Sequence, residues 1–270
     1  VFSPYYARAR QRGPANPAQH CALNVALYRP RAKLWAMTER GQRHLKRDAH
    51  SFVLGPSRLD WDGTRLTLTI DEVTMPVPRR LRGTVTLEPK VTTDTSIALD
   101  PDGRHHWRPL APQARISVDF KQPDMRWEGA AYLDSNQGSV PLEEDFASWN
   151  WSRCHRGDAT TVYYDVKPRR GREHSHAFRF DAAGKCSDIP SPVAMSLPLG
   201  LWRVPRTARA EGRGVRLART LEDTPFYTRS IVAAEAEDGP SLTVHESLSL
   251  DRFASPWVQV LLPFKMPRRG

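Results

Sequence analysis

Arg65-Leu66-Thr67-Leu68-Thr69-Ile70 is the stretch that decides the fold. Leu66, Leu68 and Ile70 alternate with polar neighbours, which is the period of a strand with one buried face. Just upstream, Asp62-Gly63 follows Trp61 and signals a tight hairpin. The same alternation recurs along the chain. Val85 and Leu87 sit between Thr84, Thr86 and Glu88; Ile116, Val118 and Phe120 sit between Arg115, Ser117 and Asp119; Leu242 and Val244 sit between Ser241, Thr243 and His245. The 23 prolines and 16 glycines interrupt the chain too often for long helices, and "DAAGK" (181–185) and "EDGPS" (237–241) mark further turns. The expected fold class is all-β, an antiparallel barrel or sandwich. Pro123-Asp124 breaks the strand that ends near Phe120, so a boundary is expected there, giving domains 1–122 and 123–270. One helix is expected in "PLEEDFASWNW" (141–151), whose acidic start suits a first turn, with a loop before a strand as the alternative. The apolar "WVQVLLPFKMPRR" (257–269) reads as a core strand with a basic end, in preference to a segment that touches lipid.

With 39% hydrophobic and 26% charged residues, the 270-residue chain has the composition of a folded protein rather than a disordered one. No apolar run approaches the ~20 residues that cross a bilayer as a helix. Val1-Phe2-Ser3-Pro4 lacks the basic start and apolar core of a signal peptide. The net charge of +10 favours anionic partners, either nucleic acid or an acidic membrane surface, although arginine-heavy usage also fits a GC-rich genome. Nucleic acid is not expected, because no aromatic-basic recognition motif is present. Cys21, Cys154 and Cys186 are odd in number and far apart, which argues against a disulfide framework and for a reducing compartment.

Strand spacing singles out two pairs. Tyr132 and Asp134 share a strand face in "GAAYLDSNQG", and His105 and Trp107 do so in "RHHWRP". Facing one cavity, they would bring together an acid, a phenol, an imidazole and an indole. From spacing alone the plainer reading is the stronger: a polar turn at Asp134-Ser135-Asn136 and a core indole at Trp107. His174 and His176 offer two imidazoles on one face but no obvious third metal ligand. Glu143, Glu144 and Asp145 offer adjacent carboxylates, which rarely converge on a glycosidic bond. There is no nucleophile elbow, phosphate-binding loop or dinucleotide fingerprint, so no nucleotide cofactor is expected.

Longer strings carry a resemblance. "VFSPYYARAR" (1–10), "HCALNVALY" (20–28), "WAMTERG" (35–41), "GPSRLDWDG" (55–63), "HHWRPLAPQARISV" (105–118), "WEGAAYLDSNQG" (127–138), "WNWSR" (149–153) and "LSLDRFASPWVQVLLPFKMPRR" (248–269) run in order. Together they resemble the carotenoid 1,2-hydratases, or hydroxyneurosporene synthases, of purple photosynthetic bacteria. The resemblance implies two lipocalin-like β-barrel domains. It implies a cofactor-independent hydro-lyase that adds water to the terminal double bond of acyclic carotenoids such as neurosporene and lycopene. It places the family's active-site residues on His105, Trp107, Tyr132 and Asp134. Family members begin with a Gly- and Trp-rich segment that precedes the match, so the first domain is expected to lack one or two N-terminal strands. The partners implied are an acyclic carotenoid, water and an anionic membrane surface. The expected location is peripheral, on the cytoplasmic side of the photosynthetic membrane, or cytoplasmic. A carotenoid carrier and another cavity enzyme on the same scaffold are the competing readings.

The implied chemistry begins with proton transfer to carbon-2 and ends with water on the tertiary cation at carbon-1. An aspartic acid with an ordinary pKa of ~3.9 is protonated only about one time in a thousand at neutral pH. Asp134 must therefore be raised by roughly three units, about 4 kcal/mol, and desolvation is the expected cause. Trp107 is expected to face the cation, a contact worth ~2 kcal/mol when desolvated. Tyr132 would serve as a second ring or orient Asp134, and His105 would position or deprotonate the water.

Overall fold

The computed structural model describes residues 2–30, 32–237 and 239–269. Val1 of the opening segment and Asp238 of the "EDGPS" turn lie outside them. The strands are β1 (Cys21–Tyr28), β2 (Lys33–Arg40), β3 (Leu45–Arg47), β4 (Ser51–Leu54), β5 (Ser57–Trp61), β6 (Leu66–Val73), β7 (Arg80–Val91), β8 (Ile97–Ala98), β9 (His105–Gln122), β10 (Asp124–Gly138), β11 (Phe146–Arg156), β12 (Ala159–Pro168), β13 (His174–Phe180), β14 (Cys186–Asp188), β15 (Met195–Ser196), β16 (Thr207–Ala208), β17 (Arg213–Asp223), β18 (Tyr227–Ala236), β19 (Gly239–Ser249) and β20 (Arg268–Arg269). The α-helices are α1 (Pro4–Gln11), α2 (Leu142–Asp145), α3 (Leu250–Ala254) and α4 (Pro256–Lys265). The all-β reading holds. The described strand registers are antiparallel except where β2 meets β20.

Contacts divide the chain into two units: Val1–Lys90 with Ala114–Ala131 and Gln259–Gly270, and Val91–Gln113 with Tyr132–Val258. This differs from a cut between residues 122 and 123. The expected seam falls at the turn between the neighbouring strands β9 and β10, whereas the contacts divide inside each of the two strands. The first half of β9 belongs to one unit and its second half to the other.

In the first unit, Ile70, Val118 and Phe120 join Val25, Leu34, Ala36 and Leu81 in one buried cluster. The alternation that predicts β6 and β9 is therefore the pattern of this core. The hairpin between β5 and β6 forms at Asp62-Gly63, as its dipeptide predicts. Gly63 takes φ 100°, and the Asp62 carboxylate accepts from the Thr64 and Arg65 N–H groups at 2.8 and 2.7 Å. Buried charges here are paired, as the desolvation cost of a lone ion requires. Arg40 donates to Glu72 at 2.7 Å, and Ser57 donates to the same carboxylate at 2.8 Å.

The second unit is built on the sheet β14-β13-β12-β11-β19-β18-β17. The helix expected over 141–151 shrinks to α2, because Phe146–Arg156 alternates and pairs as β11 between β12 and β19. β19 alternates as expected, but with the faces exchanged. Leu242 is 64% exposed, whereas Ser241, Thr243, His245 and Ser247 are buried. The C-terminal apolar segment is the helix α4, not a core strand. The three cysteines are free thiols.

Candidate active site

One face of the seven-stranded sheet is assembled by register. Trp151 lies opposite Tyr164 on one side and opposite Glu246 on the other. Tyr164 lies opposite His176, and Glu246 opposite Arg229. Partners across an antiparallel pair point the same way. Trp149, Trp151, Arg153, Tyr164, Phe178 and Glu246 therefore share this face.

Trp107 and Tyr132 pack onto it. The Trp107 ring is fully buried, with Tyr164 edge-on at 5.7 Å and Phe178 at 5.9 Å. The Tyr132 ring lies 5.5 Å from Trp151 and has the Arg153 guanidinium 5.2 Å from its centroid. Asp134 is held between them. The Trp107 indole N–H donates to Asp134 Oδ2 at 2.8 Å, and the Tyr132 hydroxyl donates to the same oxygen at 3.3 Å. Asp134 Oδ1 has no hydrogen-bond partner among the described residues.

This asymmetry matters chemically. A protonated carboxyl accepts at its carbonyl oxygen and donates from the other. With both donors on Oδ2, Oδ1 is the oxygen free to carry the proton. Desolvation raises the Asp134 pKa and Glu246 raises it further, while the hydrogen bonds from Trp107 and Tyr132 and the charge of Arg153 pull it down; the net shift is upward. Desolvation also lifts Tyr132 well above the usual phenol range, so its hydroxyl stays a donor. It lowers Arg153 as well, whose guanidinium donates to His155.

The structure thus brings Trp107, Tyr132 and Asp134 together. His105 shares their strand face but has a different partner. Its Nε2 is 2.9 Å from Asp145 Oδ2, and Arg104 grips the other oxygen of that carboxylate at 2.5 Å. Phe146 lies 4.8 Å from the imidazole. On the other side, a Cβ at Gly138 would come within 2.5 Å of His105 Nδ1, so only glycine leaves room for the ring. The Trp107 indole turns its N–H edge to the carboxyl, and the Tyr132 ring beside it lies against Trp151.

Sequence reasoning weighed Asp145 only as one of three adjacent carboxylates, and missed its pairing with His105 along with Trp151, Arg153 and Glu246. For Trp151 and Arg153 a signal existed, since "WNWSR" alternates and puts Trp149, Trp151 and Arg153 on one face. His174 and His176 do share a face, 5.2 Å apart, but His176 stacks on Phe178 and no third ligand joins them. Among the described residues no cluster of three His, Cys, Asp or Glu could hold a metal ion. Glu143 and Glu144 stand on α2 beside Asp145, which is committed to His105 and Arg104.

Comparison with known proteins bears on this constellation. The family model described as carotenoid hydratase CrtC matches residues 1–270. The acyclic carotenoid 1,2-hydratase of Thiocapsa roseopersicina is 49% identical over 272 residues, covering 100% of this chain and 67% of that protein. The enzyme of the same name from Cereibacter sphaeroides is 36% identical, covering 100% of this chain and 95% of that one. Among solved structures, CghA with Sch210972 aligns with a TM-score of 0.47 and 10% identity over 86% of this chain and 85% of that chain. From the full-length family match and the identity to these hydratases, the chain belongs to the carotenoid hydratase CrtC family.

Proposed function

We propose that this chain hydrates the terminal 1,2 double bond of an acyclic carotenoid by acid catalysis. The observation that carries the reading is the Asp134 carboxyl. It is desolvated, fixed at Oδ2 by Trp107 and Tyr132, and open at Oδ1. Oδ1–H protonates carbon-2 and the π electrons become the new C–H bond. The tertiary cation at carbon-1 is met by the Trp151 ring, because Arg153 already lies over the Tyr132 ring. Water attacks carbon-1, and the proton released from its oxygen returns to the Asp134 carboxylate. Atoms balance with water as the sole co-substrate.

Trp107 moves in this reading from cation shield to hydrogen-bond donor. His105 moves from water base to support, because Asp145 occupies its Nε2 and Gly138 closes on its Nδ1. The substrate is dissolved in lipid and the chain carries a net charge of +10, so the reading extends to peripheral attachment at an anionic membrane on its cytoplasmic side. No helix among the described residues is long and apolar enough to cross a membrane.

Incubation with lycopene in heavy water tests the proposal. The expected product has gained one water and carries one non-exchangeable deuterium at carbon-2. Bound but unreacted lycopene would identify a carrier instead. A hydrated product without deuterium at carbon-2 would rule out protonation by this acid.

A further inference from the structure

The candidate site holds a second carboxyl whose setting matches that of Asp134. Glu246 stands opposite Trp151 on one side and opposite Arg229 on the other. The Arg229 guanidinium grips one of its oxygens from two nitrogens: Nε donates to Oε1 at 2.9 Å, and Nη2 lies 2.7 Å from the same atom. Oε2 takes no hydrogen bond among the described residues. Asp134 is built the same way, with both donors on Oδ2 and Oδ1 open. Short steps connect the two carboxyls. Trp151 is the cross-strand neighbour of Glu246, its ring lies 5.5 Å from Tyr132, and the Tyr132 hydroxyl reaches Asp134 at 3.3 Å. The charge of Glu246 is felt at Asp134, and the charges of both are felt at Tyr164.

A third group on this face has an unmet bond. The Trp151 indole N–H is buried and has no acceptor among the described residues. An indole nitrogen only donates, and a buried donor without a partner is rare because it forfeits the bond it had in water. Arg153 Nε shares this condition, but its guanidinium lies over the Tyr132 ring and donates to His155, and a carbocation is disfavoured beside a fixed positive charge. The Trp151 N–H, near two half-filled carboxyls, suits a small molecule that both accepts and donates. Water is such a molecule and is the co-substrate of the proposed reaction. A water that accepts from Trp151 with one lone pair keeps the other for carbon-1 and has hydrogens to give to a carboxylate.

We infer that Trp151 Nε1–H and Glu246 seat the attacking water and that Glu246 is the base that takes its proton. The inference rests on the reading that Asp134 is the acid, and it divides the labour between two carboxyls. Asp134 gives its proton to carbon-2. The water oxygen bonds carbon-1 as one of its O–H bonds breaks, and that proton goes to Glu246 Oε2. An incoming water then passes a proton from Glu246 to Asp134, so none is gained or lost per turnover. Without Glu246 the cation's remaining exit is backwards: a proton leaves carbon-2 for Asp134 and the alkene re-forms.

Detergent-dispersed lycopene in heavy water tests this with two readouts, the hydrated product and deuterium at carbon-2 of the recovered lycopene. Glu246→Gln keeps the size and an acceptor for Arg229 and removes the base. It is expected to form product about 100-fold more slowly than the parent, while recovered lycopene gains deuterium because protonation continues and capture fails. Sodium azide should restore turnover as a 1-azido product, since azide captures the cation without a base and Asp134 regains its proton from solvent. Trp151→Phe keeps a ring face and deletes the N–H; its product rate should fall about 10-fold with exchange retained. Parent-rate product from either variant would overturn the inference. So would a Glu246→Gln variant, folded by circular dichroism, that loses exchange and azide capture along with hydration, because Glu246 would then act on the acid rather than on the water. Asp134→Asn should show no product, no exchange and no azide capture. Exchange or azide product from that variant would instead sink Asp134 as the acid, and with it the proposed function.

Discussion

Two faces of strand β11 bury titratable groups, and they do so to different ends. On one face, His245 is fully buried with both ring nitrogens satisfied. Ser152 Oγ is 2.9 Å from its Nδ1, Ser247 Oγ is 3.0 Å from its Nε2, and Ser247 donates on to Asn150 at 2.6 Å. Desolvation and the nearby Arg206 push its pKa down to about 3. On the other face, Asp134 is also driven toward its neutral form, but with one oxygen unclaimed. Burial disfavours the charged form of both groups; the histidine is a saturated hydrogen-bond bridge, whereas a protonated aspartate has an oxygen from which to act as an acid. What separates a structural group from a reactive one here is the unfilled hydrogen-bonding site, not the depth of burial.

The comparison breaks most completely at Asp134. Asp134→Asn keeps the shape and removes the proton, so hydration of lycopene should fall by about 10²–10⁴-fold in product analysis. Stability should move the other way. The folded pKa of Asp134 lies above the unfolded value of ~3.9, so its favourable contribution is full below that value and is lost as pH rises through the folded pKa. Asparagine removes that loss, so the variant should melt higher than the parent at neutral pH and show no such gain in acid.

Trp107→Phe is the intermediate case. It keeps a ring against Tyr164 and deletes the donor to Oδ2. That bond favours the carboxylate, so without it the Asp134 pKa rises further. The alkaline limb of the rate profile should shift to higher pH while the maximal rate falls about 10-fold as the carboxyl loses its anchor. An unshifted limb would detach Trp107 from the acid.

The smallest effect on rate is expected from Ser152→Ala. It strands one nitrogen of His245 and should cost about 1–3 kcal/mol of stability, read as a lower urea midpoint, with hydration unchanged. A loss of rate as large as that of Trp107→Phe would mean the two faces are not separate.

The strands were legible where burial follows hydropathy. Leu66 to Ile70 and Ile116 to Phe120 align with a core of like side chains, and the alternation states both the period and the face. In β19 the period was legible and the face was not. Ser152 and His245 are 93 residues apart, and only their pairing makes a buried serine, threonine and histidine face affordable. Hydropathy scores each residue alone and so chose Leu242. Asp145 escaped for the same reason, its imidazole partner lying 40 residues away. The contacts divide the chain elsewhere than at Pro123; a proline at a hairpin tip and one in a linker look alike in sequence. The C-terminal helix did leave a trace: Trp257, Val260, Leu261 and Phe264 have helical spacing. Apolar content alone suggested a core strand, since nothing local says that an apolar stripe faces outward. The trio Trp107, Tyr132 and Asp134 was legible as two same-face pairs, and the direction of each hydrogen bond was not.

The missing side chain at Gly138 has a practical consequence for anyone altering this protein. Even a methyl there would contact the His105 imidazole and press it off Asp145, although Asn136 and Gln137 beside it are exposed and unconstrained by that ring. In a saturation library the tolerated substitutions should therefore stop abruptly at a single codon. That codon would report on the imidazole more sensitively than many replacements of His105 itself, because it moves the ring without deleting it.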